Sequence, residues 1–311
     1  MMIHTQDAMP RPALIAIAAM FMMVPLISAV QAQEKSEPVP AEANTAAQHK
    51  PGTNPAKPLE PVLPLWEVGM FGAGITHPAY PGADERSSLL FGLPYVIYRG
   101  EYLRIDRSTV GVRAIRTARS EVDVGFAASL GSRAEDIEAR RGMDDLGMML
   151  EFGPRLNIYI GDANGDPRAS RIQIPVRGVF DVNDHFRFRG IAYELQWVTD
   201  TNLRDDWTLT TNLGAVFGNQ QLADTFYRVA SSEATPDRPA YAATSGLIAL
   251  RASIWASHLF NPDTRIFSYL RLDSVAGAAN HDSPLVRRDS GWTVGFGLAW
   301  TLVNSERSAK D

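Results

Sequence analysis

The sequence predicts an all-β chain, an antiparallel transmembrane β-barrel of about twelve strands behind a disordered N-terminal segment. Three observations lead there. Over most of residues 65–303, apolar and polar side chains alternate with a period of two, as in a strand with different surroundings on its two faces. The alternating segments run to about 9–14 residues, near the ~9–11 that cross a bilayer at a tilt and long for a soluble sheet. The connections fall into a short set and a long set, the asymmetry of a barrel with tight turns on one side of a membrane.

Residues 1–32 read as a cleaved secretory signal peptide. Arg11 supplies a positive start, Ala13 to Val24 an apolar run, Pro25 and Ser28 a break, and Val30-Gln31-Ala32 the cleavage positions. The apolar run is shorter than the ~20 residues of a membrane-spanning helix. Residues 33–64 carry prolines at 38, 40, 51, 55, 58, 61 and 64. Such a stretch buries too little to offset its ordering entropy and is expected to be a flexible periplasmic linker. Residues 304–311 form a polar C-terminal tail.

Strands are expected at 65–75, 87–98, 101–107, 109–118, 120–131, 146–161, 169–182, 186–199, 206–218, 245–258, 264–273 and 290–303. The third and fourth have the poorest pattern, and without them the count is ten. In 121–129, Val122, Val124, Phe126 and Ala128 oppose Glu121, Asp123 and Gly125. In 148–161, Leu150, Phe152, Leu156 and Ile158 oppose Glu151, Arg155 and Asn157. In 171–182, Ile172, Ile174, Val176 and Phe180 oppose Arg171, Gln173, Arg177 and Asp181. In 207–217, Trp207, Leu209, Leu213 and Phe217 oppose Thr208, Thr210 and Asn212. In 292–302 a bulky apolar face opposes Thr293, Gly295, Gly297 and Ala299. Charge and glycine on the second face suit a wet lumen better than a dry core, where unpaired charge is costly. Trp66, Tyr95, Tyr98, Trp197, Trp207, Trp292 and Trp300 are placed near strand ends, as interfacial girdles require.

With the N-terminus periplasmic, the inner connections are 99–100, 119, 162–168, 200–205 and 259–263, and the long ones, 76–86, 132–145, 219–244 and 274–289, lie outside. The strand at 186–199 changes phase, which a β-bulge near Arg189-Gly190 would repair. Folding about the turns near 165 and at Asn183-Asp184 sets Glu151 beside Arg177 and Asp181 opposite Arg187, two expected lumen ion pairs. The lumen candidates are Glu151, Arg155, Arg171, Arg177, Asp181, Arg187 and Glu194.

The absence of cysteine excludes disulfides and thiol chemistry, and a net charge of -5 gives no footprint for nucleic acid. All four lysines, Lys35, Lys50, Lys57 and Lys310, fall outside 65–303, so every fixed cation inside it is arginine. Arginine bonds carboxylate or phosphate bidentately, which fits lumen ion pairs or lipopolysaccharide contacts. His281-Asp282-Ser283 brings triad residue types together, but adjacent loop residues rarely give triad geometry. No histidine spacing suits a metal, and no phosphate-binding loop is present. No catalytic, metal or cofactor-binding residue is assigned.

Several strings resemble the MipA/OmpV family of outer-membrane proteins. They are His77-Pro78-Ala79-Tyr80-Pro81-Gly82 after the first strand, Leu93-Pro94-Tyr95 and Tyr98-Arg99-Gly100 in the second, Thr225-Phe226-Tyr227 in a long loop, and Ser283-Pro284-Leu285-Val286 before a glycine-alternating last strand. The motif residues carried over are Pro78, Tyr80, Gly82, Tyr227, Ser283 and Pro284. The resemblance implies an outer-membrane barrel and, for part of the family, a scaffold between murein-degrading and murein-synthesising enzymes. The expected partners are outer-membrane lipid and lipopolysaccharide, the barrel-assembly machinery and murein hydrolase or synthase enzymes, with no nucleic acid. The competing readings are a narrow small-solute channel, biased toward anions by Arg155, Arg171, Arg177 and Arg187, and a lipid-modifying barrel enzyme.

Overall fold

A computed structural model describes residues 64–99, 104–105, 115–117, 119–161, 169–203 and 207–307. The expected signal peptide and nearly all of the expected linker lie outside the described residues. The long strands are β1 (Trp66–Pro78), β2 (Arg86–Arg99), β5 (Ser120–Ser129), β6 (Met149–Tyr159), β7 (Ser170–Asp181), β8 (Arg187–Asn202), β9 (Trp207–Gly218), β10 (Gly246–Asn261), β11 (Thr264–Ser274) and β12 (Ser290–Asn304). The expected third and fourth strands appear as two-residue pairings, β3 (Arg104–Ile105) and β4 (Ile115–Arg116); the rest of both lies outside the described residues. Among the described residues one α-helix, α1 (Gln220–Tyr227), sits in the connection after β9, capped by the Asn219 side chain accepting from Leu222 N–H.

All strands join one antiparallel sheet in the order β3-β2-β1-β12-β11-β10-β9-β8-β7-β6-β5-β4. Pairing of β1 with β12 brings the first and last long strands together. It continues past the expected strand end, where Leu65 N–H donates to Arg307 O at 2.8 Å and Ser305 N–H to Trp66 O at 2.9 Å. The start of the expected tail is therefore held against the start of β1. The sheet is rolled rather than flat. Loops following β1 and β5 meet although many strands separate them in the ladder: Glu138 N–H donates to Glu85 Oε1 at 2.8 Å. Phe71 of β1 and Phe267 of β11 meet inside, their ring centroids 6.1 Å apart.

Alternation then sorts side chains between two environments. The outer face leaves Leu90 84%, Phe296 66% and Leu213 63% exposed, which a soluble sandwich would not tolerate along whole strands. The inner face carries the expected Glu121, Asp123, Arg155, Arg177 and Thr210. The expected bulge is present: Val179 pairs with Gly190 but Phe180 with Phe188, leaving Arg189 as the extra residue. Gly190 has φ 130°, and a Cβ there would collide with the backbone nitrogen of Leu222 in α1, so the bulge also seats the helix.

Two placements correct the sequence reading. Tyr95 is not a girdle residue. It has the inward parity of β2 and lies over Gly69, and its hydroxyl bonds Thr301 Oγ1 at 2.8 Å, Thr301 being brought opposite Gly69 by the register shift after Val68. Leu150 is not bare to hydrocarbon; it lies near the end of β6, buried with Val182. The long connections 79–85, 130–148, 219–245 and 275–289 share one end of the sheet, opposite the short turn 262–263. The other expected short connections lie wholly or partly outside the described residues.

Leu213 lies in the middle of β9 on the outer face and Thr210 on the inner face. Leu213→Arg should cost about 2–4 kcal/mol and sharply lower the folded fraction in membranes. Thr210→Arg should be tolerated better. The gel-mobility difference between heated and unheated samples measures both.

Candidate functional site

The rolled sheet lines a cavity of about 450 Å³. The inner positions of β5–β8, β10 and β11 charge one part of its wall, and five arginines there meet carboxylates. Asp123 and Arg155 are register partners and bond at 2.6 Å. Arg171 bonds Asp200, which also accepts from Thr210 Oγ1 at 2.7 Å. Arg177 holds Glu151 at 3.0 Å, as expected, and also bonds Glu194. Arg251 extends the belt, 2.7 Å from Asp273 and 3.9 Å from Glu194, and Arg271 meets the other oxygen of Asp273 at 2.8 Å. The belt thus links β6, β7, β8, β10 and β11 by paired charges, the arrangement that low dielectric demands.

Of the expected lumen residues, Arg155, Arg171, Arg177 and Glu194 line this cavity, and Glu151 is bound to Arg177. Asp181 lies at the long-loop end, and its expected partner is corrected. Asp181 and Arg187 are register-opposite, yet Arg189 takes the carboxylate at 2.7 Å while Arg187 turns to solvent and pairs with Asp184 at 2.9 Å. The bulge is the cause: the extra residue stays on the inner side and reaches Asp181 first. Arg187 is no part of the lumen, and the remaining arginines invoked for anion preference each hold a carboxylate.

The wall also contains residues that the reading of the strands passed over. Trp255 and Tyr269 stack in the interior with centroids 3.9 Å apart, and Phe71 contacts Phe91 and Phe267. The Arg251–Asp273 pair was legible in principle, since an Asn-Pro-Asp turn at 261–263 fixes that hairpin. Asp123–Arg155 was not, because the long connection between β5 and β6 hides the register.

The long-loop end is filled by the loops themselves. Tyr80, Ile137, Leu222, Tyr227, Val229 and Leu285 form a buried apolar cluster with inward residues of the strands. The motif residues meet here from distant parts of the chain. Tyr80 Oη–H donates to Leu285 O at 2.7 Å, Tyr227 Oη–H to Pro81 O at 3.2 Å, and Ser283 Oγ–H to Tyr227 O at 2.8 Å. Gly82 O accepts from Arg287 and Arg288 N–H, and Gly82 has φ 92°, a conformation that favours glycine. Pro78 ends β1, its carbonyl accepting from His77 Nδ1 at 2.7 Å, and Pro284 precedes the buried Leu285. Two buried arginines tie the loops through carbonyls: Arg140 reaches Phe226 O, and Arg238 reaches Ala139 O and Arg141 O.

Burial pushes the Tyr80 and Tyr227 phenols up, so both are neutral donors. His281 is exposed and hydrogen-bonds Asp289 and Asp282, which raise its pKa. Ser283 spends its hydroxyl on Tyr227 O rather than on that imidazole, so the three adjacent residues do not form a triad. Among the described residues no group of three or more His, Asp or Glu side chains is arranged to hold a metal ion.

A sequence profile of the family described as MltA-interacting protein MipA matches residues 70–302. A search of curated proteins finds no match. Among solved structures, the NanC porin is 10% identical, with 76% of this chain and 100% of that chain covered and a TM-score of 0.33. An outer membrane channel from Pseudomonas putida F1 is 12% identical, with 82% and 100% covered and a TM-score of 0.32. The outer membrane protease OmpT from Escherichia coli is 8% identical, with 76% and 96% covered and a TM-score of 0.26. At such scores these likenesses carry no functional weight.

Arg177→Met should destabilise the folded protein by about 3–5 kcal/mol, because Glu151 and Glu194 are left buried without a cation. Adding Glu151→Gln and Glu194→Gln should recover much of the loss, read by urea unfolding in lipid vesicles. The stability that the neutral Tyr80 and Tyr227 lend is full below the ordinary phenol pKa of about 10 and falls as pH rises toward their elevated values. Alkaline titration should therefore release phenolate absorbance from these two together with loosening of the loops; Tyr80→Phe should remove its share.

Proposed function

We propose, from the premise that this chain belongs to the MltA-interacting protein MipA family, that it is an outer-membrane barrel serving as a non-enzymatic scaffold for murein-acting enzymes. Its signal peptide would direct export, and its short-turn end and proline-rich linker would face the periplasm, where such enzymes work. Residues 101–107 and 109–118 would complete the wall, giving the twelve strands of a closed barrel, an even number as in bacterial single-chain barrels.

The observation that carries the scaffold reading over an open pore is the packed cap. Buried tyrosines, apolar side chains and carbonyl-bound arginines fill the long-loop mouth. Loops that line an open pore stay hydrated, whereas these form a core. The family's name states an interaction with MltA, and that interaction comes to this chain as part of the proposal. The cavity beneath the cap supports a second reading, a narrow channel that conducts when the cap is displaced. With its arginines paired, such a channel would have little anion preference.

Two measurements test this. In planar bilayers the intact protein should show no steady conductance, while Tyr80→Ala combined with Tyr227→Ala should open frequent events. Steady conductance from the intact protein would establish the channel reading instead. Crosslinked envelopes should yield murein enzymes with the intact chain and lose them on deletion of 33–64 or of the periplasmic turns. If none is recovered with the intact chain, the scaffold reading fails.

A further inference from the structure

We infer that the cavity is a binding site for a neutral, hydroxyl-rich ring, a sugar in chemical class, reached from the short-turn end. The inference stands on the cavity alone and needs no murein enzyme.

The first observation is an excess of unsatisfied acceptors. Asn157 Oδ1, Asn212 Oδ1 and Thr293 Oγ1 are buried atoms on the cavity wall with no partner among the described residues. Asn157 is 3% exposed and Thr293 1%, so bulk water does not reach them freely. His77 adds a fourth. Its Nδ1 lies 2.7 Å from Pro78 O, and a carbonyl only accepts, so Nδ1 carries the proton and Nε2 is left as an unpartnered acceptor on the same wall. Three of these four atoms only accept, while the Thr293 hydroxyl can also donate. On the same wall Arg271 Nε lies 2.8 Å from Asp273 but makes no well-aligned hydrogen bond. Buried polar atoms are hydrogen-bonded in folded proteins, so three acceptors along this cavity call for a guest that brings donors.

The second observation selects the charge of that guest. The wall's arginines hold Asp123, Asp200, Glu151, Glu194 and Asp273, and those carboxylates hold arginines in return. An anion would have to compete with a carboxylate for each of these arginines, and a cation would compete with arginine for its carboxylate. Hydroxyl groups supply donors without adding charge to a low-dielectric space.

The third observation selects the shape. Trp255 and Tyr269 stack as a half-buried aromatic platform on the wall. Asn212 pairs with Ser253 and Thr210 with Trp255 across the β9–β10 ladder, so carboxamide, hydroxyl and ring stand side by side. Asn212 is also oriented: its Nδ2–H donates to Gln196 Oε1 at 2.9 Å, which aims Oδ1 away from that bond. A pyranose has an apolar C–H face for the platform and hydroxyls on its rim for the acceptors. A pocket of this kind, with an aromatic wall and a few placed polar groups, is how small-molecule sites fix orientation. The cap closes the long-loop end, which leaves the side lined by Glu121, Tyr159, Arg171 and Asp200 as the approach.

Calorimetric titration of the intact protein in a sugar-free detergent tests this, with maltose, glucosamine and gluconate as neutral, cationic and anionic hydroxyl-rich probes. Maltose should bind with a dissociation constant of roughly millimolar or tighter, and the charged probes about tenfold more weakly. Asn212→Leu and Trp255→Phe should each weaken maltose about three- to tenfold, while the outward Leu213→Ala leaves it unchanged. Heat-modifiable gel mobility confirms that each variant is folded. Three results would overturn the inference: no saturable heat with maltose, so that water alone satisfies the acceptors; equal binding of all three probes; or maltose binding indifferent to positions 212 and 255.

Discussion

The constraint on which this structure depends is that the inner face of a one-sheet protein must satisfy its charges internally. A strand that shows hydrocarbon to one side gives every polar residue to the other, and the inner side is too narrow for bulk water to solvate them all. The chain meets this by pairing across strands. Arg177 lies between Glu151 and Glu194, Arg251 between Glu194 and Asp273, and Asp123 and Asp200 have one arginine each. Because these pairs bridge neighbouring or next-neighbouring strands, each also records register. A slip of one residue would send arginine to the lipid face and leave its carboxylate buried alone. The choice of arginine throughout 65–303 follows, since its planar fork holds two acceptors where lysine offers a point charge.

The cap answers a different demand. Long loops between strands pay chain entropy with little return unless they pack. Here they pack on each other and on the inward residues of the strand ends, so that Tyr80, Tyr227, Ser283 and Leu285, far apart in sequence, share one cluster. Backbone carbonyls at the ends of broken structure are taken up by Arg140, Arg238 and Asn280, the last bonding both N–H and C=O of Thr244. One end of the molecule thus has the character of a soluble core, while the strand region has that of a wall. The cavity lies beneath these packed loops.

Much of this was legible in the sequence. Period-two alternation gave the faces of β6, β7, β9 and β12, because hydrocarbon and interior impose opposite chemistry on successive residues. The phase change at 186–199 gave the bulge. A short turn between β6 and β7 was enough to set Glu151 beside Arg177. What was not legible depended on side-chain reach or on long connections. Arg187 and Arg189 are equal candidates for Asp181 until the bulge geometry chooses between them. Tyr95 has the composition of a girdle residue and the parity of an inward one. The motif strings marked loops but gave no sign that they converge, since contacts such as Tyr80 to Leu285 span most of the barrel sequence. The lumen aromatics Trp255 and Tyr269 were hidden because aromatic residues in membrane strands read first as lipid-facing.

The partition of successive residues between lipid and a watery interior is tested most directly by single-cysteine scanning, which the absence of native cysteine makes clean. Cysteines placed one at a time at 208–213 of β9, in protein reconstituted in vesicles, would be challenged with a lipid-soluble and a water-soluble thiol reagent. Positions 209, 211 and 213 should react with the lipid-soluble reagent, and 208, 210 and 212 with the small water-soluble one. Reactivity that rises and falls smoothly along the strand, without a period of two, would contradict the account.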